Sequence, residues 1–136
     1  MTDLINIVPM AWARLILTLF FSILFLQSGF DKIYDWNGNL EWLKGHFGKS
    51  PLRGQVPMML GTTAILESLT GVISAVGVFG LLFLNQDSYA IAGHVLSGIS
   101  LLALFFGQRI AKDYAGAAAL VPYFLMVVLG LFVFSH

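Results

Sequence analysis

The feature that most constrains this chain is where its charges are not. Sixteen uncharged residues separate Arg14 from Asp31, nineteen separate Glu67 from Asp87, and twenty-one separate Asp87 from Arg109. After Asp113 no formal charge follows unless the terminal His136 is protonated. A membrane-crossing helix needs about 20 mainly apolar residues. Four such stretches in 136 residues leave little chain for anything else. The spacing predicts spans over residues 10–30, 58–84, 89–106 and 115–134. Only 10% of the residues are charged and 58% are hydrophobic. A soluble domain carries about a quarter charged residues, so this chain could not clothe a water-exposed surface. Runs such as Gly80–Leu84 lack the alternation of barrel strands. The expected fold is therefore all-α: one integral membrane four-helix bundle comprising residues 1–136.

The connection over residues 31–57 is too long for a tight turn. Trp36, Leu40, Leu43 and Phe47 recur at steps of four, three and four, while Asn37, Glu41 and Lys44 fall away from that side. This predicts a short amphipathic interfacial helix between helices 1 and 2. Ser50-Pro51 should end it, and Pro57 suits the start of helix 2. Asn85-Gln86-Asp87 reads as a tight turn. The first apolar run lacks a basic leader and a small-x-small cleavage site, so it is expected to stay in the mature protein. Six of the seven Lys and Arg residues lie in the 1–2 and 3–4 connections, with Arg14 alone near the other side. The charge bias places those connections in the cytoplasm and both termini outside. The expected location is the bacterial cytoplasmic (inner) membrane.

Each predicted span carries a stripe of small or polar residues at helical spacing: Arg14, Thr18, Ser22 and Phe25; Thr63, Ala64, Glu67, Thr70, Gly71 and Ser74; Ala90, His94, Ser97 and Gly98; Gly116, Ala119, Tyr123, Met126 and Gly130. Small residues allow close helix approach, and hydroxyls bond across helices. The stripes should face one another, whether as packing seams or as a site. Glu67 falls about 13 Å along its helix, at 1.5 Å per residue, well inside the hydrocarbon. A carboxylate there is costly and points to function or to pairing. With Arg14 and His94 nearer the opposite face, it is expected to be a neutral acid that donates a hydrogen bond. Arg14, Glu67, His94 and Tyr123 are the candidate ligand or proton-handling residues. Asp31, Lys32, Arg109, Lys112 and Asp113 read as an interfacial charge cluster.

Several chemistries are excluded. With no cysteine there is no thiol enzyme, thiolate zinc site or cysteine-held cluster. No second histidine at membrane depth accompanies His94, which argues against a two-histidine haem. No nucleophile–base pair or metal-ligand spacing stands out, so no catalytic or metal-binding residue is assigned. A formal net charge of zero gives no reason to expect nucleic acid.

The order of features resembles the DoxX family of small four-helix integral membrane proteins. The features are an arginine early in helix 1, Ser28-Gly29-Phe30-Asp31-Lys32-Ile33 at its end, Glu67 with Gly71 in helix 2, and the run from Arg109 to Ala118. The resemblance covers nearly the whole chain. It implies a membrane subunit linked to redox chemistry, as in quinol oxidase, thiosulfate:quinone oxidoreductase and oxidative-stress complexes. It carries Arg14, the Ser28–Lys32 stretch, Glu67 and Asp113 onto the family pattern. The expected role is a non-catalytic membrane subunit or anchor without its own redox centre. Quinone is the one small-molecule cofactor this admits, and a cofactor-bearing oxidoreductase subunit is the expected partner besides the lipid bilayer. The alternative is a small proton-coupled carrier or transporter working as a homo-oligomer, with Glu67 and His94 as its relay.

Overall fold

The structure, a computed structural model, describes residues 9–135. His136 therefore lies outside the described residues. The helices are α1 (Pro9–Tyr34), α2 (Trp36–His46), α3 (Val56–Phe83), α4 (Ser88–Ile110), α5 (Tyr114–Ala118) and α6 (Val121–Phe134), with a 3-10 turn at Arg53–Gln55 before α3. Four stretches are long and apolar enough to cross a membrane: Pro9–Tyr34, Arg53–Phe83, Ser88–Ile110 and Tyr114–Phe134.

The polarity of the bundle is inverted relative to a water-soluble protein. Thr18, Ser22, Glu67, Thr70, Ser74, His94, Ser97 and Ser100 are buried. Ile23, Ile65, Phe79, Leu102, Leu125 and Phe132 point outward. An apolar girdle of this extent suits hydrocarbon and would drive association in water. With its four apolar spans, the chain is an integral membrane four-helix protein.

The predicted stripes of the first three spans pack inward because small residues let the backbones touch. A Cβ on Gly71 would lie 2.5 Å from the Leu26 backbone nitrogen, so only glycine lets α3 meet α1 there. Gly77 does the same for α3 against the start of α4, at Ala90. α1 and α3 make the most extensive interhelical contact, followed by α3 and α4. The last span docks through side chains instead. There Ala119 is exposed and Gly116, Tyr123 and Met126 are only half-buried, while Ala117, Val127 and Gly130 are buried, so its inward face is offset from the predicted one. Phe21, Phe25, Leu101 and Val127 form a core cluster, with Phe20, Tyr123 and Phe124 packed around it.

The fourth span is not one continuous helix over 115–134. It breaks at Ala119–Leu120, between α5 and α6, and Pro122 lies in the first turn of α6. Proline has no N–H for the carbonyl four residues back, and its ring crowds that carbonyl. The α3–α4 turn falls where expected. Asn85 takes a left-handed φ of 48°, and the Gly80 carbonyl accepts from both Leu84 and Gln86.

The short helix between the first two spans is also present, one residue after α1. Its apolar positions Trp36, Leu40 and Leu43 are half-buried. Phe47 is buried, Trp36 lies over Gly61, and Trp42 is the large residue left exposed. Beyond it, Ser50 anchors the turn into α3, its hydroxyl and carbonyl accepting from Leu52 and Arg53.

Candidate functional site

Glu67 is 1% exposed, and the polar atoms around it come from α1. Ser28 and Lys32 stand one turn apart on that helix. The Ser28 hydroxyl donates to Glu67 Oε2 at 2.5 Å. Lys32 Nζ donates to the same oxygen at 2.8 Å and to Ser28 Oγ at 3.0 Å. The sequence alone puts Lys32 among the interfacial charges and no cation near Glu67. The structure differs for a geometric reason. Helical side chains lean toward the N-terminus of their helix, and the N-terminus of α1 lies at the far side of the bundle. From the last turn, the lysine therefore reaches inward to the acid. Glu67 is one half of an ion pair, not a lone neutral acid, and its Oε1 has no hydrogen-bond partner.

Lys32 also lines a cavity of about 210 Å³. The cavity lies where the ends of α1 and α4 meet the start of α3, and α2 covers it. Leu43, Met59, Ala103 and Leu104 supply apolar wall; Trp42 and Phe47 supply rings. Asn39, His46, Thr63 and Gln108 supply polar atoms. His46 Nε2 is 2.9 Å from Gln108 Oε1 and 3.6 Å from Asp113 Oδ2. The His46 ring stacks on Trp42 at 4.7 Å between centroids.

The remaining charged residues of the loop end divide by role. Asp113 caps α5, its Oδ1 accepting from Gly116 N–H at 2.9 Å. Lys112 holds a left-handed φ of 61° at the end of α4, which lets Asp113 N–H reach the Gln108 carbonyl. The Arg109 guanidinium lies 4.4 Å from the centre of the Tyr114 ring. Asn39 Nδ2 reaches Asp31 Oδ2 at 3.4 Å.

The structure does not bring Arg14, His94 or Tyr123 to Glu67. His94 is as buried as Glu67 and stands toward the opposite end. Its Nδ1 donates to the Ala90 carbonyl at 2.9 Å, on its own helix. Phe21 and Phe134 meet its ring edge-on, and its Nε2 has no hydrogen-bond partner. Gly130 faces Nε2 so closely that no Cβ would fit. Arg14 turns to the end of α6, with Nε 3.4 Å from the Val133 carbonyl and the guanidinium 5.8 Å from the centre of Phe134. Tyr123 stacks against Phe20 in the aromatic core.

Sequence reasoning misses Trp42, His46 and Gln108 as cavity residues. A signal for His46 exists: it lies three residues after Leu43 on the predicted amphipathic helix. Nothing in the sequence marks Gln108 as its partner. Among the described residues, no group of three His, Asp or Glu side chains is placed to hold a metal. No family model, curated protein or solved structure matches this chain, so the site stands on its own geometry.

Proposed function

We propose that the cavity beneath α2 holds the head group of a quinone, and that the protein is a non-catalytic membrane subunit of a quinone-linked oxidoreductase. The observation that carries this is Lys32, shared between Glu67 and the cavity. An ammonium has three N–H groups. Two go to Ser28 and Glu67, which leaves one for an acceptor in the cavity. Glu67 cancels the lysine's charge, so the site suits a neutral carbonyl better than a phosphate or carboxylate. Trp42 and Phe47 offer ring faces, and the aliphatic side chains offer apolar wall. An apolar cavity of about 150 Å³ accommodates benzene, so the size here suits one substituted ring.

The DoxX resemblance supports the subunit role and a partner that carries the redox centre. The lysine and arginine bias supports a cytoplasmic cavity end, with both ends of the chain across the membrane. A C-terminal alkaline phosphatase fusion should then be active, and a fluorescent-protein fusion dark.

The main test is quinone retention. Protein in lipid nanodiscs loaded with ubiquinone or menaquinone should keep about one quinone per site after washing, measured by solvent extraction and chromatography. A Lys32→Met, Glu67→Gln double variant keeps the site neutral and removes the donor. Its retention should fall at least about tenfold, the cost of one charge-assisted hydrogen bond. Unchanged retention would overturn the reading. A proton-coupled carrier would draw on the same buried pair. Flux driven by a pH gradient in liposomes, lost in Glu67→Gln, would favour that function instead.

A further inference from the structure

α2 is fastened unevenly. At its start it follows α1 through Asp35, whose backbone leaves the helical region (φ −112°, ψ 51°). No residue within Trp36–His46 is fully buried. Asn39 bonds locally, to Asp31 and Asp35. Among the described residues, the polar contacts that cross from α2 to α4 and to the α4–α5 corner all come from His46, through Gln108 and Asp113. At its far end the helix that covers the cavity is held by the buried Phe47 ring that follows it and, as its polar pin, by an imidazole, the side chain that changes charge between about pH 5 and pH 8.

We propose that α2 is a pH-sensitive lid over the cavity, latched by His46 to Asp113 and Gln108 when the imidazole is protonated. This regulates the ligand site proposed above and rests on that cavity being one.

The groups facing His46 set the sign. Asp113 at the α4–α5 corner is anionic and 3.6 Å away. α4 presents the neutral Gln108, and α3 presents the neutral Met59 and Thr63 across the cavity. α1 presents Lys32, whose charge is offset by its contact with Glu67. On α2 itself, Glu41 and Lys44 fall on the side away from the cavity. The nearest uncompensated charge is therefore negative. Protonation adds attraction to Asp113, whereas the Trp42 ring that stacks on the imidazole belongs to α2 itself and moves with it. The neutral imidazole can keep a hydrogen bond to Gln108 but loses that attraction. Closure is favoured in acid and weakens as pH rises through the histidine range.

Lid opening can be read without any ligand. The chain has no cysteine, so Leu43→Cys gives a single site on the cavity side of α2 for a nitroxide spin label. In nanodiscs, collision of that label with a water-soluble nickel chelate should be roughly two- to fivefold more frequent at pH 8 than at pH 5.5, the range a partly exposed ion pair supplies. A label at Leu40 should follow the same trend, which guards against local disturbance by the first. His46→Gln keeps a donor for Gln108 and should make the collision rate independent of pH. Asp113→Asn keeps the α5 cap and should do the same. A flat profile in the parent protein, or a pH dependence that survives in His46→Gln, would overturn the lid. Quinone retention at fixed pH tests the ligand reading separately, so the two failures are distinguishable.

Discussion

The two ends of the bundle each bury an ionisable side chain to the same degree, and they treat it in opposite ways. Glu67 is met by charge and hydroxyl from a neighbouring helix, and its lysine partner opens onto a cavity. His94 is bonded within its own helix and closed in by two phenylalanines and the bare backbone of Gly130. From depth and polarity alone the two look alike. What separates them is the side chain opposite. A long cationic chain opposite builds a site, whereas an aromatic wall and a glycine build a joint.

Substitutions at three sites test that contrast, beginning with the largest effect. Lys32→Met leaves the Glu67 carboxylate buried without its cation and should cost about 3–5 kcal/mol. Adding Glu67→Gln removes the orphan charge and should recover most of that loss. Unfolding in mixed micelles, followed by tryptophan fluorescence, reads both. If Lys32→Met costs under about 1 kcal/mol, as an exposed pair would, the cavity end is no more polar in effect than a surface.

At the other end, Gly130→Ala should cost about 1–3 kcal/mol through overpacking against the imidazole. The same change in a His94→Ala background should cost less than about 0.5 kcal/mol, because the clashing ring is gone. Equal costs in the two backgrounds would show that Gly130 serves something other than His94. Smallest is Asp113→Ala, which removes the α5 cap and should cost about 1 kcal/mol. Asp113→Asn should be nearly silent at neutral pH, since its amide oxygen still accepts from Gly116. A large loss in the asparagine variant would mean that the contact with His46 outweighs the cap.

Much of the fold is legible in the sequence because lipid enforces it. Uncharged stretches long enough to span must be helical, and steps of three and four residues show which faces turn inward. The same periodicity locates α2 through Trp36, Leu40, Leu43 and Phe47. The break at Ala119–Leu120 escapes notice although Pro122 announces it, since hydropathy outweighs a single proline in a run this apolar. The site is half legible. Glu67 stands out by cost, but Lys32 looks interfacial as long as depth is judged from the backbone. A lysine ammonium lies several bonds away from that backbone, in the direction its helix dictates. The His46–Gln108 contact joins residues 62 apart, and no local pattern encodes such a distance.

The pairing of His94 with Gly130 bears on how the last span finds its place. α6 is otherwise a smooth apolar rod, and such rods slide and rotate past one another at little cost. A shift by one residue in either direction would set Leu129 or Leu131 against the imidazole, where no side chain fits. The missing side chain thus acts as a keyway: it fixes the height and rotation of the final helix against the other three. A membrane protein with few directional bonds can in this way still settle on one register.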